Sequence, residues 1–96
     1  MMKESDLFLE RIKAFNQEAG GGVSIRRSHR GYNLYQEDDG SPIARLCPTG
    51  KDDEVEILWR SHRDKWESVG EFGGVYLPLD KALEYIAEDP MGCFWI

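Results

Sequence analysis

The sequence predicts an α+β fold: a five-strand antiparallel meander with an N-terminal and a C-terminal helix packed on one face of the sheet. Three observations carry this. Apolar residues recur at helical spacing near both ends, and a period of two fills the interval from Val23 to Val69. The connections within that interval are short and rich in Gly, Asp and Ser. Strands joined by such short connections pair with their sequence neighbours, which gives the meander.

In the first helix, Ser5 caps the N-terminus and Asp6 sets a negative charge against the positive end of the backbone dipole. Phe8, Ile12, Phe15 and Ala19 form the apolar stripe, widened by Leu9, while Glu10, Arg11, Lys13 and Gln17 face away. Gly20, Gly21 and Gly22 end it. Three glycines suggest a phosphate loop, but no GxGxxG or GK[ST] follows, and helix precedes strand, the reverse of what such a site needs.

Val23 and Ile25 precede a turn at Ser28 to Gly31, and a four-residue loop there pairs Ile25 with Leu34. The acidic run Glu37 to Ser41 makes the second turn. Pro42, which has no N–H to give a ladder, opens the third strand, Ile43 to Cys47; alternation leaves open whether Ile43 or Leu46 faces the core. After a loop at Pro48 to Asp53 comes the most regular stretch, in which Val55, Ile57 and Trp59 alternate with Glu56 and Arg60. A four-residue loop at Ser61 to Asp64 places Trp59 opposite Trp66, two indoles on the core side. Gly70, Gly73 and Gly74 then loosen the chain before a helix entered at Pro78, with Leu79, Ala82, Leu83 and Ile86 as its apolar face and Pro90 and Gly92 as its stop. Cys93 to Ile96 are too apolar to dangle, so Phe94 and Trp95 tuck against the sheet or a partner. The sheet face away from the helices is expected to show Ser24, Arg26, Asn33, Tyr35, Glu56, Leu58, Lys65, Glu67 and Val69.

Ninety-six residues with 41% hydrophobic content make one domain, residues 1–96, with a single core. A net charge of −6 opposes binding of nucleic acid, whose non-specific affinity comes from Lys and Arg displacing counterions. No apolar run is long enough to span a bilayer, and MMKESD lacks the basic start and apolar stretch of a signal peptide, so a cytoplasmic setting without membrane contact is expected. Cys47 and Cys93 are then thiols.

Arg-Ser-His-Arg occurs twice, at Arg27 to Arg30 and Arg60 to Arg63, both at hairpin turns. In a meander alternate turns share an end of the sheet. The first copy therefore lies beside Asp52, Asp53 and Glu54 and the second beside Glu37, Asp38 and Asp39, so that surface pairing cancels each local field. The same topology sends His29 and His62 to opposite ends, and neither Cys47 nor Cys93 has a partner at ligand spacing; no metal, cofactor or catalytic set is expected.

The C-terminal half resembles a family of small bacterial proteins known only as a domain of unknown function. The matching features are Ser41-Pro42-Ile43-Ala44-Arg45, Leu58-Trp59-Arg60 with Lys65-Trp66, and the ending Asp89-Pro90-Met91-Gly92-Cys93-Phe94-Trp95, whose pattern Asp-Pro-x-Gly-x-Phe-Trp is the most specific part. The resemblance spans Ser41 to Trp95; this chain ends in Ile96 where the family usually has a small residue. It implies the α+β scaffold and a bacterial cytoplasmic setting, and it brings no reaction or site residue.

An acidic chain with no reactive constellation and with more aromatics than one small core hides reads first as a non-catalytic module that binds a protein partner or forms a homodimer. The residues expected to carry it are Tyr35, Leu58 and Val69 on the open face, or Phe94 and Trp95 at the terminus. The alternatives are a small hydrolase or transferase using His62 with acidic turn residues, and a weak nucleic-acid binder using the turns Arg27 to Arg30 and Arg60 to Arg63.

Overall fold

Two apolar helical stripes and a run of alternating strands must bury their apolar faces against each other, and they do so on one side of the sheet. The computed structural model describes residues 7–29, 31–61, 63–69, 74–89, 92 and 94. Ser5, Asp6, Arg30, His62, Gly70, Gly73, Pro90, Cys93, Trp95 and Ile96, to which expectations were attached, lie outside the described residues. The elements are α1 (Leu7–Glu18), β1 (Val23–Arg27), β2 (Tyr32–Gln36), β3 (Pro42–Pro48), β4 (Glu54–Arg60), β5 (Trp66–Ser68), β6 (Val75–Pro78) and α2 (Leu79–Glu88). Strands β1 to β5 neighbour one another in sequence order, and every pairing is antiparallel.

Strand β6 was not expected. It pairs with Glu54 to Ile57 of β4, while β5 takes Leu58 to Arg60, so β5 and β6 share one edge of the same strand. Four residues behind a glycine-rich run are too short to show a period. Gly74 makes the return possible: its φ is +96°, and a side chain there would press on Ser68 and on the Glu56 carboxylate.

Ile12 of α1 and Leu79, Ala82, Leu83 and Ile86 of α2 pack on Leu34, Ala44, Leu46, Val55 and Ile57. Each large aliphatic buried here contributes about 1.5–3 kcal/mol relative to exposure. The glycine run ends α1, where the Gly21 N–H donates to the Asn16 carbonyl at 2.7 Å and Gly20, Gly21 and Gly22 all have positive φ. The first N–H of α2, from Leu79, donates to the Asp53 carbonyl at 2.9 Å. Arg11 of α1 then donates to the Asp53 carboxylate at 3.1 Å and reaches Asp80 at 2.9 Å, tying both helices to the β3–β4 loop. Asp80 foremost raises the pKa of the Arg11 guanidinium; burial opposes this and Asp53 adds to it.

The first hairpin has the expected register, with Ile25 opposite Leu34. In β3 the pairing with β2 shifts between Leu34 and Tyr35, a bulge that lets Ile43 and Ala44, adjacent in sequence, both be buried. Leu46 is buried as well, so both residues left open by the alternation belong to the core.

The β4–β5 hairpin departs from expectation by one residue. The Ser61 N–H donates to the Lys65 carbonyl at 2.9 Å, so Arg60 lies opposite Trp66, and Trp59 opposite Glu67. Asp64 closes the loop with φ +62°, a left-handed conformation that Asp tolerates. A one-residue slip moves every side chain of a strand to the other face. Trp59 and Trp66 are therefore on opposite sides of the sheet, and Trp59 packs against the core alone. Glu67 moves to the helix side, where its carboxylate accepts from the Ser61 hydroxyl at 2.9 Å, and Val69, expected on the open face, is buried in the core at 3% exposure.

Phe94 is wholly buried. Asp89 ends α2 in a left-handed conformation, Gly92 bonds back to the Asp89 carbonyl at 3.0 Å, and the Phe94 N–H donates to the Asp89 carboxylate at 3.2 Å. The Asp-Pro-x-Gly-x-Phe pattern thus returns an aromatic ring to the core, edge-on to Tyr85.

Candidate functional site

With both helices on one side, the other side of the sheet is left without a covering element among the described residues. Alternation and register decide what it shows. One row crosses five strands through successive partners: Arg26, Asn33, Arg45, Leu58 and Ser68. Arg60 and Trp66 flank this row on one side, and Cys47, Glu56 and Tyr76 on the other.

The interior of the face is polar and ordered by contacts of its own. Asn33 is only 8% exposed; its Oδ1 accepts from Arg45 Nε at 2.7 Å, and its amide nitrogen faces the Tyr35 hydroxyl at 3.4 Å. The guanidinium carbons of Arg45 and Arg60 lie 5.1 and 5.3 Å from the centroid of the same Trp66 ring, and that of Arg26 lies 5.7 Å from the Tyr35 ring. Each such contact contributes about 0.5–1 kcal/mol at an exposed site. Arg60 Nε is buried and has no hydrogen-bond acceptor. Beside Tyr35, an open hollow of about 380 Å³ is lined by Ser24, Arg26, Gln36, Glu37 and Gly40.

The expected site residues fall into three groups. Tyr35 and Leu58 lie on this face and are half-buried. Val69 and Phe94 are inside the core, so neither is available to a partner in this arrangement. Trp95 and His62 lie outside the described residues. Arg45, Arg60 and Trp66 were missed as a group, because the misplaced hairpin register sent Trp66 to the core. Ala44 and Leu46 flank Arg45 and were a usable signal: two core residues on either side point Arg45 outward.

The two Arg-Ser-His-Arg turns are not equivalent. Arg60 stands over Trp66 on the open face, while Arg27 stands over Tyr32, a core residue on the helix side. Asp53 is held by Arg11, and Asp39 accepts the Ser41 N–H at 2.9 Å, a bond that keeps its carboxyl below the usual Asp range. Cys47 is half-buried on the open face.

Among the described residues no three His, Cys, Asp or Glu side chains converge as a metal site, and no helix is long and apolar enough to cross a membrane. A second cavity, of about 230 Å³, lies between the helices and the sheet against Ile12, Phe15, Leu34, Ile43, Leu83 and Ile86. Among the described residues no titratable side chain lines it. Asn16 also borders it, with its amide already donating to the Val23 carbonyl at 3.0 Å.

A family model described as a domain of unknown function matches residues 7–96, which takes in the first helix and hairpin as well as the C-terminal half. No curated protein and no solved structure matches the chain.

Proposed function

Because the chain belongs to the DUF3024 family of domains of unknown function, its role has to be read from its own surfaces, and we propose that it is a non-catalytic protein-binding domain whose contact surface is the open sheet face. The observation that carries this reading is the sheet face that no described element covers. It holds Tyr35, Leu58 and Trp66, each half-buried, among arginines already steered by Asn33 and the aromatic rings. Aromatic and Arg side chains set in a partly desolvated, pre-ordered surface are the usual anchors of protein interfaces.

The test is capture of partners from a lysate of the source cells by three immobilised proteins: the parent chain, a Tyr35→Ser/Leu58→Ser variant, and a Lys81→Ala/Glu84→Ala variant on the exposed side of α2. Capture lost only in the sheet-face variant, with thermal midpoints unchanged, supports the reading. Equal capture by all three removes the sheet face from it.

A further inference from the structure

We infer that the partner offers an acidic peptide segment, and that Arg45 and Arg60, both set against Trp66, bind its carboxylates; this deepens the protein-binding reading and rests on it. The chain carries a net charge of −6, yet Arg26, Arg45 and Arg60 all lie on the open face. The ion pairs among the described residues lie elsewhere, at Arg11 and Lys81, and no described carboxylate lies within pairing distance of these three. Two like charges drawn to one indole repel each other, and an anion placed against both relieves that repulsion.

The donors are prepared for such a ligand. Asn33 holds Arg45 by its Nε from within the sheet, so the two terminal nitrogens, the fork that grips a carboxylate, are left for an external acceptor. Arg60 has a buried Nε with no acceptor at all. A buried donor without a partner is costly in a folded protein.

The geometry favours a carboxylate chain over a nucleic acid. Bases bind open aromatic faces, whereas the Trp66 and Tyr35 rings already have guanidiniums stacked near them. The overall negative charge also opposes a long polyanion. Size favours a peptide over a free small acid. The row from Arg26 to Ser68 crosses five strands, on the order of 20 Å at the usual interstrand spacing, and Leu58, next to Arg45 in that row, offers apolar contact.

The experiment is a titration of the ¹⁵N-labelled full chain with a synthetic peptide alternating Glu and Ala, read at the side-chain N–H resonances of Arg45, Arg60 and Trp66. The same titration is run with the Gln-and-Ala peptide and with an oligothymidylate. The proposal predicts that the three resonances shift together and saturate with the Glu peptide, that the Gln peptide leaves them in place, and that Arg45→Gln/Arg60→Gln weakens binding by roughly tenfold or more. It further predicts that Arg60→Met keeps or raises the thermal midpoint, since the orphaned N–H is removed. Equal shifts with the Glu and Gln peptides, no shift at these three residues, or tighter binding of oligothymidylate at the same resonances overturns it. So does a marked fall in the midpoint of Arg60→Met, which would show the guanidinium to be held for stability. Lysate capture lost in Tyr35→Ser/Leu58→Ser but intact in Arg45→Gln/Arg60→Gln overturns the acidic preference alone and leaves the protein-binding reading standing.

Discussion

Phe94 shows how one side chain gives a motif its meaning. It has no exposed surface, meets the Tyr85 ring at 6.0 Å, and is returned to the core by Asp89 and Gly92. Phe94→Ala is expected to cost about 3–5 kcal/mol, as large aromatic truncations in a packed core do. Against a total of about 5–15 kcal/mol for a small domain, that is a large share. Urea unfolding followed by circular dichroism checks it, and a loss under about 1 kcal/mol would mean that Phe94 is peripheral. The sequence showed that this ending was too apolar to be left in water, but it did not decide between the chain's own core and a partner's surface. That choice depends on the left-handed Asp89 and on the acceptor its carboxylate presents, which composition does not express.

The elements that were legible in the sequence are those where many residues agree. The stripes of α1 and α2 repeat over several turns, and the Ile25–Leu34 register follows from a loop whose length is marked by Ser28 and Gly31. Gly31 also has a second reason to be glycine: it passes directly against the Leu46 carbonyl, where no side chain fits. The β4–β5 hairpin was not legible, because Ser-His-Arg-Asp suits loops of two different lengths and the choice rests on one residue, Asp64 at φ +62°. Asp64→Gly is accordingly expected to keep or raise the thermal midpoint, and Asp64→Val to lower stability by about 1–2 kcal/mol. Thermal unfolding of both variants checks this. Equal stability of the two would mean that Asp64 does not set the register, and with it which indole faces out.

At the scale of the whole molecule, charge and layers are arranged in opposition. The helices, the Arg11 bridge and the apolar core occupy one side of the sheet, while arginines and aromatics gather on the other side of an otherwise acidic chain. The meander order and the single helical layer were readable from short connections and amphipathic stripes. The composition of the open face was not, since it hangs on a bulge in β3 and on the β4–β5 register, each a matter of one residue. The measurement that tests the binding account most directly is site-specific photo-cross-linking in the source cells, with a photoreactive phenylalanine analogue placed at Leu58 or at Lys81. The account predicts a discrete protein adduct from position 58, lost on adding Arg45→Gln/Arg60→Gln, and none from position 81. Adducts from position 81 alone, or none from position 58, would contradict it.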